Sequence, residues 1–221
     1  MTALHDDVPL GNYRAVLEQY LRRIGFPAGS VAASIIEERR SSLQTRHSLR
    51  PELVLWGCNA RGSTIEDAFP VAAAFDLFDH FLLLHDEIAD GTGPTVRRWG
   101  LGQSLNAGDA LCALAFRTLA SDVYDAPRRL CAARLVGRAV LEAIDSAPAP
   151  GRYAALTGAA LAGGVRIAGA PDAAVDAFHR AGQIAQSDPQ AAVSLLHPYV
   201  ADQSRDHFEE AVRYIARRAA S

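Results

Sequence analysis

Residues 63–90 read STIEDAFPVAAAFDLFDHFLLLHDEIAD, and this stretch decides the fold. Ser63 to Glu66 form a capping-box pattern, which is typical of a helix start. The apolar residues that follow recur at three- and four-residue spacing, as on the buried face of an α-helix. The stretch therefore predicts one long helix that ends near Asp90, with Pro70 as a candidate kink. Its predicted buried face comprises Ala68, Val71, Ala72, Phe75, Phe78, Leu82 and His85.

The same spacing continues through the rest of the chain, and no strand-like alternation of any length interrupts it. Clusters of Gly, Pro and Ser divide the chain into about nine helices. The fold class is therefore predicted to be all-α, a single helical bundle formed by one domain over residues 1–221. We expect Phe75, Phe78, Leu82 and Leu114 to share a core, because they lie on the most apolar helices. The other predicted helices are 13–24, 29–40, one after Pro51, 103–119, 126–144, 152–168, 172–185 and 204–218.

Composition and charge argue against several classes of function. The chain has 221 residues, 49% of them hydrophobic, enough for a large core without disulfides or structural metal. Its 22 basic and 25 acidic residues leave a formal net charge of −3, and no basic run is dense enough to follow nucleic acid. Every basic residue is an arginine, so chemistry that requires a lysine amine is excluded.

The cysteines and the apolar segments predict a soluble, cytoplasmic protein. Cys58, Cys112 and Cys131 are odd in number and spaced unlike zinc ligands. They lie in apolar helical stretches, where reduced cysteine behaves as a small hydrophobe. The N-terminus lacks the basic region of a signal peptide, and the apolar run Phe81–Leu84 is too short to span a bilayer.

One segment carries carboxylates at the spacing of a metal site. Asp86 and Asp90 lie one helical turn apart at the end of the long helix, so their side chains project from the same face and can share a divalent cation. Glu87 occupies the adjacent ridge. Negative charge at a helix C-terminus opposes the helix dipole, so the arrangement has a local cost. On this motif alone, a metal site and a solvated acidic helix end are both open interpretations.

Several blocks around this motif resemble the trans-isoprenyl diphosphate synthases, or polyprenyl synthetases, in order and spacing. The resemblance implies the all-helical fold of that family. It also implies that Asp86 and Asp90 match the first and last aspartates of the family's first aspartate-rich motif. That motif binds Mg²⁺, which grips the diphosphate of an allylic prenyl substrate. The matching blocks are Arg50-Pro51, HDEIAD at 85–90, GPTVRRWG at 93–100, AGDAL at 107–111, RYAAL at 152–156 and the final helix.

The resemblance implies roles for individual residues. Asp86, Glu87 and Asp90 would bind Mg²⁺, and Phe81 and Leu82, about one turn earlier, would line a short substrate tunnel. The residues implied to bind diphosphate are Arg50, Arg97, Arg98 and Arg152.

Two of these arginine assignments carry an alternative. Arg97 and Arg98 lie too far along the chain to match the arginine pair that follows the motif in the family, and a solvated helix start is the other interpretation. Arg152 stands where the family has a lysine, and guanidinium also binds phosphate oxygens.

Two departures set this chain apart within the family. The segment that cradles a second diphosphate in the family reads TRHSLRP here at 45–51, with only Arg50 in register. The second aspartate-rich motif is missing, because the corresponding region reads GQIAQSDPQ at 182–190. The chain therefore resembles a shortened, divergent member of the family.

Three acids near the C-terminus are a candidate substitute for the missing second motif. Asp202, Asp206 and Glu210 are spaced four residues apart and loosely resemble the second metal motif of class I terpene cyclases. Alternatively, these acids lie at a helix start, where they stabilise the helix dipole.

The implied function is Mg²⁺-dependent binding of an allylic prenyl diphosphate, with prenyl transfer or cyclisation in isoprenoid biosynthesis. The weakened second site argues against chain elongation. The alternatives are a non-catalytic or regulatory subunit that partners a full-length prenyl diphosphate synthase, and a helical protein that has kept the fold and lost the ligand. A homodimer, or a heterodimer with a related synthase, is expected because the helix at 103–119 is apolar nearly all round.

Overall fold

The described residues form ten α-helices and contain no β-strand. The computed structural model describes residues 13–25, 29–42, 49–91, 93–120, 126–146, 154–200 and 205–219. The predicted all-α class is confirmed. The helices are α1 (Tyr13–Arg23), α2 (Val31–Ser42), α3 (Leu49–Asn59), α4 (Phe69–Asp90), α5 (Pro94–Leu119), α6 (Ala126–Asp145), α7 (Ala154–Ile167), α8 (Asp172–Ile184), α9 (Pro189–Leu196) and α10 (Arg205–Ala219).

The helix that decides the fold begins later than its sequence predicts. A 3₁₀ turn, Ile65–Ala68, precedes α4, and Pro70 lies in the first turn of α4 itself. Proline is tolerated there because the first helical N–H groups have no intrahelical acceptor. Pro70 therefore starts the helix rather than kinking it. Gly91, at φ 65°, closes α4 in the left-handed conformation that glycine adopts readily.

The predicted core is confirmed. Phe75 and Phe78 are fully buried, and Leu82 and Leu114 are almost so, within one continuous apolar cluster. Phe78 also meets Phe116 of α5 edge to face, with ring centroids 5.2 Å apart. Since α4 and α5 pack along much of their length, the acidic end of α4 is held against the start of α5.

Glycines allow α7 to approach its neighbours backbone to backbone. A Cβ on Gly164 would lie 2.2 Å from the carbonyl oxygen of Val54 in α3. A Cβ on Gly182 of α8 would lie 2.7 Å from Cα of Gly158. These distances leave no room for a side chain, so α3, α7 and α8 form one tightly packed layer.

Two other elements differ from the prediction. Helix α5 begins at Pro94, well before residue 103, and Gly100, at φ 79°, interrupts its helical geometry. Helix α9 is not among the predicted helices. Pro189 occupies its first turn, and the Asp188 carboxylate caps the helix by accepting from the Ala191 N–H at 2.9 Å.

Among the described residues, one helical stretch, Ile65–Asp90, has the length and hydropathy of a membrane span. In the folded protein 83% of its most apolar window is buried, as in the central helix of a bundle.

Candidate functional site

The three acids of the motif lie in the last two turns of α4. Asp86 and Glu87 are half-buried and Asp90 is exposed. Asp86 and Asp90 are separated by about 6 Å along the helix axis, because each residue rises about 1.5 Å. The helical spacing that predicts a shared face for these two aspartates is therefore present.

Cross-helix contacts engage both carboxylate oxygens of Glu87. The buried guanidinium of Arg39, on α2, donates to Oε1 at 2.5 Å. The backbone N–H of Thr95, in the first turn of α5, donates to Oε2 at 3.4 Å. Glu87 thus links α2, α4 and α5.

His85 packs against α5. Its imidazole lies so close to Gly108 that a Cβ there would be 2.6 Å from Nε2. Its ring also contacts that of Phe81, with centroids 4.5 Å apart and the ring planes tilted by 55°. Nε2 is buried and has no hydrogen-bond partner among the described residues. These contacts support the packing role rather than a ligand role for this histidine.

Arg50 is held by a carboxylate of α4. Its guanidinium forms an ion pair with Asp79, and both side chains are largely buried. Asp79 lies two turns before Asp86, about 10 Å along the helix axis. The structure therefore places Arg50 in an ion pair about two helical turns from the acidic motif, towards the N-terminus of α4.

The two arginines at the start of α5 lie in different surroundings. Arg98 pairs with Glu38 of α2 at 3.1 Å and covers the ring of Trp99. Arg97 is exposed in the first turn of α5, three residues after Pro94. Arg152, the fourth predicted diphosphate ligand, lies outside the described residues.

The two predicted tunnel residues differ in burial. Leu82 belongs to the core, at 3% exposure. Phe81 is half-buried and contacts Phe78 edge to face, at 6.4 Å between centroids.

A cavity of about 530 Å³ lies elsewhere, between α6 and α8. Sequence reasoning missed it, because its residues belong to two helices about 40 positions apart. Burial lowers the pKa of the His179 imidazole on its wall, and Arg138 lowers it further, while Glu142 and Asp176 oppose the shift. The lining residues are Leu135, Arg138, Ala139, Val175, Asp176, His179 and Arg180.

The region of the missing second motif offers no acidic cluster. Asp188 caps α9, and Gln186 and Gln190 are exposed. Asp206 and Glu210 are exposed on α10, and Asp202 lies outside the described residues. Within the described part of the chain, no group of three or more His, Cys, Asp or Glu side chains is placed to hold a metal ion.

Sequence reasoning also missed a set of buried charged residues on α3 and α4. Glu52 is 2% exposed and accepts a hydrogen bond from the Tyr214 hydroxyl of α10 at 3.4 Å. Asp76 is 1% exposed, and its Oδ2 lies 3.7 Å from Nε2 of His80. Acids inside the apolar run of residues 71–84 were the available signal, because buried carboxylates need partners.

The chain is similar in sequence to curated prenyl diphosphate synthases. No family model matches the chain. It is 36% identical over 157 residues to a geranylgeranyl diphosphate synthase of Mycobacterium tuberculosis. The match covers 60% of this chain and 45% of that protein. It is 32% identical over 149 residues to a (2E,6E)-farnesyl diphosphate synthase of the same species, covering 56% of this chain and 41% of the relative. The matched segment thus spans less than half the length of these curated relatives.

Solved structures share the fold over almost the whole chain. A geranylgeranyl pyrophosphate synthetase from Pyrococcus horikoshii superposes with a TM-score of 0.70 at 16% identity, covering 96% of this chain and 87% of that one. A polyprenyl synthetase from Streptomyces coelicolor gives 0.62 at 16% identity, covering 95% and 89%. These likenesses establish the fold. In sequence, the chain is similar to the curated prenyl diphosphate synthases over somewhat more than half of its length.

Proposed function

We propose that the chain binds an allylic prenyl diphosphate with Mg²⁺ at the end of α4 and uses it for prenyl transfer or cyclisation in isoprenoid biosynthesis. The observation that carries this proposal is the pair Asp86 and Asp90, one turn apart on α4. The fold is shared with polyprenyl synthetases, and the curated relatives are named geranylgeranyl and farnesyl diphosphate synthases. Both facts support prenyl diphosphates as the substrate class.

The two aspartates fit a magnesium ion. Proteins usually hold Mg²⁺ with one or two carboxylates, together with waters and the phosphates of a substrate. Asp86 is half-buried and Asp90 is exposed, which suits a site that takes its remaining ligands from a bound diphosphate. Mg²⁺, when bound, supplies Lewis-acid polarisation of the diphosphate and a template that orients it. Because Glu87 is engaged by Arg39 and Thr95, we propose a supporting role for it instead of direct ligation.

Arginines are the cations available to bind diphosphate oxygens. Arg97 is exposed at the start of α5, close in sequence to the acidic motif, and we propose it together with Arg152 for this role. A guanidinium can donate two parallel hydrogen bonds to phosphate oxygens, which fixes orientation as well as charge. Arg50 and Arg98 form ion pairs with Asp79 and Glu38, and diphosphate binding by either arginine would compete with its ion pair.

The Arg50–Asp79 ion pair supports an acceptor other than a second diphosphate. A guanidinium neutralised by a buried carboxylate has less charge to offer another anion, and breaking a buried pair is costly. Prenyl transfer to a different acceptor, or cyclisation, therefore fits better than chain elongation.

We propose that the half-buried ring of Phe81 limits the length of the prenyl chain.

A second candidate function is a non-catalytic or regulatory subunit that pairs with a related synthase. Exposed apolar side chains on α5 and α6 support it, as does the lack of a second acidic wall among the described residues. The same side chains would serve a homodimer under the first proposal. The side chains are Leu101, Leu105, Phe116, Leu130, Leu141 and Ile144.

We further propose a cytoplasmic location. All three cysteines are free thiols, as in a reducing compartment. Burial raises the pKa of the Cys58 thiol to about 12, and the charges of Asp67 and Glu66 add to the shift. This thiol therefore stays protonated and unreactive at neutral pH.

A thermal-shift experiment tests the metal site. Geranyl diphosphate should raise the melting temperature only when Mg²⁺ is present, because a ligand of the native state stabilises it by mass action. A ligand at about 100 times its Kd adds about 2.7 kcal/mol, which corresponds to a shift of several degrees. Asp86→Asn and Asp90→Asn should each abolish the metal-dependent part while leaving the circular dichroism spectrum unchanged.

Asp145→Asn is the matched control, since Asp145 is an exposed aspartate at the C-terminal end of α6 and carries the same dipole cost. An unchanged shift in both motif variants would leave the acids as a solvated helix end. A Mg²⁺-dependent shift without release of diphosphate from geranyl diphosphate would favour the subunit.

A further inference from the structure

Arg39 lies at the meeting point of three helices. Its side chain, on α2, is 5% exposed. One nitrogen, Nη1, donates to Glu87 Oε1 at 2.5 Å and to Thr95 Oγ1 at 2.8 Å. The Thr95 N–H closes the ring of contacts by donating to Glu87 Oε2. One guanidinium therefore holds the last turns of α4 and the first turn of α5 together.

The corner between these helices is built directly on the Glu87 side chain. Three residues, 91–93, connect α4 to α5. A Cβ on Gly93 would lie 2.4 Å from Cβ of Glu87 and 2.5 Å from its Oε2, so the backbone of the corner rests on that side chain. A displaced Glu87 carboxylate would therefore displace the corner as well.

A neighbouring contact holds the same helices. Glu38, beside Arg39 in the sequence, accepts from Arg98 and from the Trp99 indole N–H, each at 3.1 Å. Consecutive residues of α2 thus contact the end of α4 and the first turns of α5. The buried part of this arrangement is the Arg39–Glu87–Thr95 network.

We propose that Arg39 is a positioning residue for the acidic motif. The inference rests on the proposed function at Asp86 and Asp90. Glu87 follows Asp86 directly and precedes Asp90 by three residues, so fixing its side chain fixes the rotation of the turn that carries both aspartates. The Arg39 charge also offsets the repulsion among three acids at a helix C-terminus. It thereby provides a structural reason for an acidic cluster where the helix dipole opposes one.

The test compares Arg39→Met, Arg39→Lys, Glu87→Gln and the Arg39→Met/Glu87→Gln double variant. The readout is the Mg²⁺ concentration that gives half of the maximal thermal shift with geranyl diphosphate. Mutation of residues that orient metal ligands through hydrogen bonds typically changes metal affinity by about 10- to 100-fold. Arg39→Met should therefore raise the half-saturating Mg²⁺ concentration by about that factor. Arg39→Lys should recover part of the loss, because it keeps the charge and lacks the planar fork.

A second readout, the urea midpoint without ligand, detects the ion pair itself. Each single variant leaves a buried charge without its partner, whereas the double variant removes both charges. The sum of the decreases in urea midpoint of the two single variants should therefore exceed the decrease in the double variant. The double variant also supplies a folded protein if Arg39→Met alone fails to fold. In that double variant the Mg²⁺ requirement should stay raised. Arg213→Met is the control, because it removes a guanidinium from an exposed pair with Glu209 on α10.

The outcomes separate this inference from the function on which it rests. A wild-type protein with no Mg²⁺-dependent shift would overturn the proposed function and the positioning role with it. A wild-type shift that persists at the same Mg²⁺ concentration in folded Arg39→Met, or in the double variant, would overturn the positioning role alone.

Discussion

At the residue scale, His179 lies among charges of both signs on the cavity between α6 and α8. Its pKa is lowered by burial and by Arg138, against the opposing effect of Glu142 and Asp176. Arg180 lines the same cavity. The folded protein therefore favours the neutral imidazole more than the unfolded chain does.

This difference gives a pH dependence of stability with a definite sign. Below the ordinary histidine pKa of about 6.5, the unfolded chain binds more protons at this position than the folded protein does. The contribution of His179 to the free energy of unfolding is fully present above about pH 6.5. It is lost as the pH falls through that value towards the lower pKa of the folded protein. In urea denaturation at pH 7.5 and 5.5, the wild-type midpoint should fall more than that of His179→Gln. Equal falls would show that another group is responsible.

Residue-scale pairings mark the limit of prediction from this sequence. The core positions Phe75 and Phe78 follow from helical periodicity, which is a property of neighbouring residues. The partners of Arg39 and Arg50 do not follow, because these residues pair with Glu87 and Asp79 across 48 and 29 positions. Which guanidinium meets which carboxylate depends on how the helices pack, and a single sequence does not encode that directly.

At the element scale, two glycines should respond in opposite directions to the same change. Gly164 of α7 contacts the α3 backbone, so Gly164→Ala should destabilise the protein by about 3 kcal/mol or more, because overpacked cores shift their backbone. Gly102 of α5 has open space around its Cα and no positive φ, so Gly102→Ala should stabilise by up to about 1 kcal/mol through helix propensity. Urea denaturation measures both. Similar effects of the two substitutions would contradict the close packing of α7.

Helix boundaries depended on the chemistry of single residues. Pro70 is a candidate kink by sequence, and no helix is predicted from Pro189 onwards until residue 204. Both prolines nevertheless lie in the first turn of a helix, where a missing N–H costs little. The Asp188 cap distinguishes a helix start from a break at Pro189, and Asp-Pro is a start signal that the sequence does carry. The 3₁₀ turn Ile65–Ala68 has no comparable cap, because the Thr64 side chain makes no capping hydrogen bond.

At the scale of the whole molecule, the exposed apolar side chains of α5 and α6 predict self-association. Leu141, at 63% exposure, is the most exposed of these large apolar side chains. Sedimentation velocity at micromolar concentration should show a dimer, and Leu141→Gln should shift it towards monomer. Leu83→Gln, on α4 at 39% exposure, is the control that should leave the association unchanged. A wild-type monomer at these concentrations would contradict the proposed homodimer.

The backbone contacts of α7 have a consequence for how the molecule moves. With glycine at positions 158, 163 and 164, α7 is a poor helix on its own, and it owes its helical state to the α3 and α8 backbones packed on it. Neither neighbour can separate from α7 while α7 stays formed, so the three helices should open to solvent as a single cooperative unit. Amide hydrogens along all three would then exchange at one common slow rate. We expect any rearrangement on binding of the proposed ligand to occur outside this unit, where α4 carries the acidic motif against α5.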